Sequence, residues 1–205
     1  MRERRDTCKF MIQGTRIAII GNAGGGKSTL ARKLGQVLNI PVTHVDSIQY
    51  QSGWLRTPKE ECDQVLSDIA NGERWIIDGF GSDELIERRI EIADTVLFLD
   101  FPIWRHYWWV LKRQLAARNG QREELPNNCP EFNFAYTKKL MNVMWLVHKE
   151  YTPWFRQLLK VKCKSGNVVV MHSPEEMERL VRGTETGTQL RPDNRLQSVP
   201  AKPGR

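Results

Sequence analysis

The sequence predicts a doubly wound α/β fold with a five-stranded parallel sheet and helices on both faces. Short apolar runs rich in Val, Ile and Leu end at glycine or a polar residue, and stretches with helical spacing separate them. The chain has 205 residues, of which 40% are hydrophobic, which is enough for one core. Ligands of such folds bind at the carboxyl ends of the strands, so the residues that end each run are candidates for function.

The first predicted strand, residues 16–21, is a short apolar run rich in β-branched residues that stops at Gly21. We expect it to be buried on both faces, as parallel strands between two helical layers are. The clearest run has the sequence TVLFLD and ends at Asp100. The predicted strands are residues 16–21, 42–46, 75–78, 95–100 and 167–171.

Helical patterns fill the intervals between the strands. After the first strand, Leu30, Leu34 and Val37 recur at helical spacing, and Pro41 ends the pattern. Pro102 stands at the first turn of a longer helix. This alternation implies right-handed crossovers between parallel strands. The predicted helices are residues 27–39, 58–71, 83–92, 102–117, 132–149, 153–164 and 174–181.

Composition divides the chain into one domain with two tails. Residues 183–205 contain almost no large apolar side chain, so we expect this C-terminal tail to be disordered, and we expect the same of a basic N-terminal extension, residues 1–13. Residues 14–182 then form the domain. Within it, the polar stretch at residues 119–130 is typical of a loop or flap.

The chain is basic, with a formal net charge of +7 and a pI near 9.4. Four of the seven excess positive charges lie in the two ends of the chain, and phosphate-binding residues alone would account for the rest. The charge therefore favours an anionic ligand without choosing between a small phosphate compound and a nucleic acid.

The sequence bears on the compartment of the protein and on the redox state of its cysteines. No apolar run approaches the roughly 20 residues of a membrane-spanning helix, and the charged start does not resemble a secretory signal, so we expect a cytoplasmic protein without a membrane partner.

The cysteines and histidines show no metal-ligand spacing, so reduced thiols are expected and no histidine receives a role. These residues are Cys8, Cys62, Cys129, Cys163, His44, His106, His148 and His172.

A phosphate-binding loop, the P-loop, lies between the first strand and the first helix. Its glycines allow a ring of backbone N–H donors at a helix N-terminus, which suits the phosphates of a purine nucleoside triphosphate. Lys27 would reach the β and γ phosphates, Ser28 would bind Mg²⁺, and Thr29 would contact the α phosphate. A flexible glycine turn is disfavoured, because strand and helix are both evident. The motif is Gly21-Asn22-Ala23-Gly24-Gly25-Gly26-Lys27-Ser28-Thr29.

Together with the P-loop, several later segments resemble the DNA topology modulation proteins, which are P-loop kinases related to adenylate kinase. The resemblance covers about residues 15–181. It implies a three-layer P-loop NTPase fold, a mobile lid at about residues 118–131 and phosphoryl transfer from ATP with Mg²⁺, but no particular acceptor. The segments are residues 41–46, 53–54, 74–79, 93–100, 111–113 and 129–131.

One departure from the adenylate kinase pattern concerns the acceptor. Asp78-Gly79-Phe80 resembles the start of the DGFPR segment, but Gly81-Ser82 stands where Pro-Arg is expected. The missing arginine would help to hold an acceptor phosphate, so AMP is a weaker expectation than the P-loop chemistry.

Aspartates end three of the predicted strands. Asp78 is favoured as a ligand that holds Mg²⁺ through water opposite Ser28, with a strand-end cap as the alternative. Asp46 is either a general base for an acceptor hydroxyl or a turn carboxylate that caps the next segment. Asp100 is interpreted as the cap of the following helix.

A run of basic residues borders the predicted lid. The segment contains Lys112, Arg113, Arg118 and Arg122. No acidic residue lies between Lys112 and Arg122. We favour a role in which lid closure brings these arginines onto the transferring phosphates, over a solvated basic helix face.

An aromatic stripe marks the helix at residues 102–117. Trp104, Trp108, Leu111 and Leu115 follow helical spacing, which predicts a face packed in the core. The alternative is that some of these rings, with Trp54, stack on a base or line the acceptor site.

Two functions from different classes fit these features. The first is an ATP-dependent kinase that transfers the γ-phosphoryl group to a small acceptor such as a nucleotide or nucleoside. The second is a nucleotide-switched ATPase whose basic tails bind nucleic acid. No guanine-specific NKxD segment is present in the sequence.

Overall fold

The computed structural model describes residues 12–116, 134–163 and 167–187, without the side chains of residues 54, 113–116 and 134–136. Residues 1–11 of the N-terminal extension, the predicted lid at residues 118–131 and most of the C-terminal tail lie outside this part of the chain. Their proposed disorder and mobility stay predictions, as does the cytoplasmic location. No helix of the described ranges is both long and apolar enough to span a membrane.

A five-stranded parallel sheet forms the centre of the molecule, which confirms the predicted fold class. The strand order is β2-β5-β1-β6-β7. β1 (Arg16–Gly21) lies between β5 (Trp75–Asp78) and β6 (Thr95–Leu99), and these three strands are almost entirely buried. The edge strands are β2 (Val42–His44) and β7 (Val168–Met171).

One face of the sheet packs against α1 (Lys27–Leu38) and α8 (Pro174–Glu185). Ile17 and Ile19 of β1 point into this layer and meet apolar side chains of both helices such as Leu34. The alternation of side chains along a strand assigns their neighbours to the other face.

The opposite face packs against α3 (Lys59–Ala70), α4 (Asp83–Ile92) and α7 (Thr152–Lys162). Ala18 and Ile20 of β1 belong to this second apolar cluster. Helices therefore cover both faces, as predicted.

α5 (Ile103–Ala116) and α6 (Phe134–Leu146) lie against each other and flank the undescribed residues 117–133. A π-helical turn, Val147–Tyr151, joins α6 to α7. The helices predicted at residues 132–149 and 153–164 therefore form a nearly continuous pair.

The second predicted strand is shorter than expected. β2 ends at His44, and Val45–Gln49 forms a short helix, α2, where the sequence predicted strand through Asp46. A small hairpin follows, β3 (Tyr50–Gln51) and β4 (Leu55–Arg56). The chain turns early because Val45 packs against Gly79, where an added Cβ would lie only 2.9 Å from the Val45 Cβ atom.

The last helix is longer than expected. α8 continues to Glu185 rather than ending near residue 181, so the first residues of the predicted tail are helical. The side chain of its N-cap residue, Ser173, accepts a hydrogen bond from Glu176 N, and Thr184 Oγ1 donates to Leu180 O near its end.

The stripe on α5 was predicted to be core, and this prediction is wrong. Trp104 and Trp108 are 60% and 59% exposed, and Leu111 is 45% exposed. The other side of the helix is buried instead, through His106 and Val110. α5 packs by that side because the P-loop lies there.

Candidate active site

The P-loop connects the end of β1 to the start of α1, as predicted. Gly24 has a left-handed φ of +70°, and an added Cβ would lie 2.8 Å from Val110 Cγ2. α1 begins at Lys27, and Leu30 N donates to Gly26 O as the first turn closes. The start of α1 therefore points its N-terminal end toward the P-loop, and a helix N-terminus favours an anion there.

Two neighbouring helices hold the start of the loop. Asn22 Nδ2 donates to Met144 O of α6 at 2.7 Å, while Asn22 Oδ1 accepts from Ala23 N. His106 of α5 lies with its Nδ1 atom 2.9 Å from Ala23 O. A carbonyl oxygen can only accept, so Nδ1 carries the proton.

His106 is neutral at physiological pH. Burial lowers the pKa of His106 to about 4, against the opposing effect of its hydrogen bond to Ala23. The sequence had assigned this histidine no role, because motif spacing cannot show a contact between residues 83 positions apart.

Lys27 lies over the loop that it belongs to. Its Nζ atom donates to Asn22 O at 3.0 Å. The ammonium group is therefore held against the backbone of the P-loop.

Ser28 and Asp78 come together at the junction of the P-loop and β5. Ser28 Oγ donates to Asp78 Oδ2 at 2.9 Å, and the Asp78 side chain is 3% exposed. Both groups present oxygen atoms, the ligands that Mg²⁺ prefers, so the pair fits the ion. In the described ranges no three His, Cys, Asp or Glu side chains cluster as a metal site. A divalent ion here would therefore need oxygen atoms from phosphate or water as well.

His44 is a second partner of Asp78. Its Nδ1 atom makes a short contact with Asp78 Oδ1. The two residues are register partners at the ends of β2 and β5. This contact was not predicted from the sequence, although a strand end paired with the end of β5 would have been the signal for it.

Asp46 lies near these residues but points to solvent. It belongs to the first turn of α2 and is exposed. At the start of α2, the side chain that bonds the backbone is Ser47, whose Oγ donates to His44 O. The Asp46 carboxylate does not fill this role. The carboxylate is therefore accessible to a ligand at this edge of the sheet.

Asp100 does not cap α5, contrary to the sequence interpretation. Its two carboxylate oxygens accept hydrogen bonds of 2.8–3.0 Å from Arg156 of α7. The Asp100 side chain is largely buried, and the bidentate geometry satisfies it better than backbone N–H groups of a helix start would. Nothing in the sequence pairs two residues 56 positions apart.

The predicted lid arginines are not placed. Arg118 and Arg122 lie outside the described residues, and so does the side chain of Arg113. Lys112, their neighbour on α5, is exposed. A role for these residues in closure stays a prediction.

An apolar cavity of about 290 Å³ adjoins the P-loop on the side of α1 and α8. Trp109 and Met177 line it, together with Pro174 at the start of α8. Gly24 and Thr29 form its boundary with the P-loop and the start of α1, so the cavity opens beside them.

A buried arginine lies behind the turn that follows β5. Arg89 of α4 is 2% exposed, and its Nη2 atom donates to Gly79 O at 3.0 Å and to Phe80 O. Its Nε and Nη1 atoms have no hydrogen-bond partner among the described residues. Burial lowers the pKa of Arg89 to about 10, against the opposing charge of Asp78, so the group stays protonated at pH 7.

Comparison with known proteins supports the fold. No protein-family model matches the chain, and no curated protein is significantly similar to it. A shikimate kinase from Bacteroides thetaiotaomicron is 18% identical, covers 85% of this chain and 98% of its own, and has a TM-score of 0.52. Shikimate kinase from Acinetobacter baumannii in complex with shikimate is 12% identical, covers 83% and 93%, and has a TM-score of 0.53. The chain therefore has the P-loop kinase fold.

Proposed function

We propose that this chain is an ATP-dependent kinase that transfers the γ-phosphoryl group to a small acceptor, with nucleotides and nucleosides as the first class to test. The observation that carries the proposal is the contact of Ser28 Oγ with buried Asp78 Oδ2, beside the Lys27 ammonium group. A fold alone does not require this set of groups, but phosphoryl transfer does. Membership of the DNA topology modulation family is part of the proposal and rests on the sequence segments.

The roles follow from charge. Lys27 and the backbone N–H groups of the P-loop would bind the β and γ phosphates, while Ser28 and Asp78 would hold Mg²⁺. Bound Mg²⁺ neutralises charge on the transferring group. Because these residues are held by buried contacts before ligand arrives, little reorganisation accompanies transfer.

The apolar cavity next to the P-loop supports a nucleotide as the donor. A base would fit between Trp109 and Met177, with its phosphates directed toward Gly24 and Lys27. ATP is proposed over GTP because the sequence lacks a guanine-specific NKxD segment.

The acceptor side contains Asp46. If the acceptor is an alcohol, Asp46 takes the hydroxyl proton as the oxygen attacks the γ phosphorus and ADP leaves. We propose that Arg113, Arg118 and Arg122 stabilise the charge of the transferring group when the lid closes.

The test is product formation from ATP and Mg²⁺ with a panel of nucleosides, nucleoside monophosphates and sugars. Lys27→Ala should abolish transfer while the fold is kept, and Lys59→Ala, a surface lysine paired with Asp63, should retain activity. Full turnover by the Lys27→Ala protein would overturn the mechanism. A blank across the panel with real ATPase activity would favour the second function.

The second function, nucleic-acid binding, is supported by the outer face of α5. Trp104 and Trp108 are exposed there, and the Arg105 guanidinium lies 5.3 Å from the Trp104 ring centre. Aromatic and basic side chains together suit stacked bases and phosphates. With the basic tails, such binding would weaken steeply as salt rises, and binding unaffected by salt would contradict it.

A further inference from the structure

The turn after β5, residues 79–81, is held from the inside by one arginine. Gly79 O and Phe80 O both accept from Arg89 Nη2, so two successive carbonyl groups point toward the same buried nitrogen. The Gly79 N–H group is already hydrogen-bonded, since it donates to Ile19 O of β1.

The direction of the carbonyl groups fixes the direction of the next two N–H groups. No peptide bond of the described residues is cis, and in a trans peptide the N–H points opposite to the C=O before it. Phe80 N–H and Gly81 N–H therefore point away from Arg89. Neither N–H donates to an acceptor in the described part of the chain. Two adjacent donors are thus left open at the carboxyl end of β5.

The charge behind these donors is positive. Arg89 makes no ion pair with a described residue, so its charge is not neutralised by contact. The negative group that acts on Arg89 is Asp78 at the end of β5. Asp78 has partners of its own in Ser28 and His44.

The turn at residues 79–81 lies at the same sheet edge as Asp46. β2 and β5 are adjacent, His44 is the register partner of Asp78, and Val45 contacts Gly79. Asp46 follows Val45 directly, so a small molecule at this edge can reach both the carboxylate and the turn.

We infer that residues 79–81 bind an oxyanion of the acceptor, a phosphate or carboxylate group, through Phe80 N–H and Gly81 N–H, with Arg89 as the positioning residue that orients both. The inference rests on the proposed function and narrows its substrate class to acceptors that carry an anionic group as well as the group phosphorylated.

Backbone NMR of the full chain tests the site directly. ADP is added first, and shifts at the amides of Gly24 and Gly26 report nucleotide binding, which is the proposed function. Inorganic phosphate or acetate is then titrated. We expect saturable shifts at Phe80 and Gly81, with phosphate and acetate distinguishing the two oxyanions. Bound ADP with no shift at these two amides for either anion would overturn the inference and leave the proposed function standing.

Variants of two adjacent arginines test the role of Arg89. Arg89→Met should weaken the anion-dependent shifts at least about tenfold in apparent affinity, because both carbonyl groups lose their donor and the positive charge is removed. Arg88→Met is the matched control and should stay within about twofold, since Arg88 is exposed and donates to Asn71 Oδ1.

Two further measurements keep the test decisive. If Arg89→Met does not fold, Arg89→Lys replaces it, and it should weaken the anion shifts because the shorter lysine side chain does not carry its nitrogen to the position of Arg89 Nη2. In the acceptor panel, pairs that differ only in a phosphate or carboxylate should favour the anionic member at least about tenfold in kcat/KM. A preference for the neutral member would overturn the inference.

Discussion

Two strand ends of this protein carry glycine-containing turns, and they are stabilised in opposite ways. The P-loop after β1 is held by other parts of the chain, through Asn22 to Met144 O and His106 to Ala23 O. The turn after β5 is held by Arg89 from the helix that directly follows it.

The difference concerns what each turn needs for ligand binding. In the proposed mechanism the P-loop contains its own binding groups, such as Lys27, and neighbouring helices only fix its position. The turn after β5 presents backbone alone, so its orientation and its charge both depend on a residue about ten positions away. Replacing a support should therefore affect stability at the P-loop and ligand choice at the turn.

The largest effect on stability that we expect concerns pH and His106. The folded pKa is about 4 and the ordinary value is 6.5, so the unfolded chain binds more protons between these values. The contribution of neutral His106 is full above pH 6.5 and is lost as pH falls toward 4. It amounts to about 3 kcal/mol, taken at about 1.4 kcal/mol per pKa unit.

His106→Asn isolates this contribution, because an amide keeps a donor for Ala23 O but does not titrate. Urea unfolding of both proteins at pH 7, 5.5 and 4 gives the comparison. The natural chain should lose about 3 kcal/mol more than the variant over this range. Equal losses would show that His106 is not buried as a neutral donor.

A pair of glycine substitutions compares the two turns directly. At Gly79 (φ +112°) an added Cβ meets the Val45 Cβ atom at 2.9 Å, while at Gly24 (φ +70°) it meets a terminal methyl of Val110 at 2.8 Å. A methyl group can move aside more easily than the start of α2. We expect Gly79→Ala to destabilise by about 3 kcal/mol and Gly24→Ala by about 1–2 kcal/mol.

Thermal or urea unfolding measures both substitutions. Gly79→Ala should also displace Val45 and with it Asp46, so acceptor KM should rise while ADP binding is retained. A larger loss of stability for Gly24→Ala would contradict the proposed order of the two turns.

The sequence predicted the elements whose residues alone specify them. β1, β5 and α4 have the predicted bounds because a continuous apolar run or a helical pattern starts and stops within the segment itself. The P-loop position was predicted for the same reason. α2 and the β3–β4 hairpin were missed because elements of two to five residues carry too little periodicity.

The remaining site depends on contacts between distant residues. His44 with Asp78, Asp100 with Arg156 and Arg89 with the turn each join different elements. The sequence singled out Asp78 and Asp100 at strand ends, but it does not show which residue each of them contacts. A buried arginine in particular looks like a surface residue in sequence, since arginines are mostly exposed.

The smallest expected effect concerns the outer face of α5. Helical spacing predicted that Trp104, Trp108 and Leu111 share a face, and they do, but the inner face with His106 and Val110 packs instead.

Because Trp108 is 59% exposed, Trp108→Gln should change the free energy of unfolding by no more than about 0.5 kcal/mol. Val110→Ala on the inner face is the matched contrast and should cost about 2 kcal/mol, since it leaves a cavity against the P-loop. Urea unfolding of both variants decides the matter, because a Trp108→Gln loss as large as that of Val110→Ala would mean that another part of the protein covers this face.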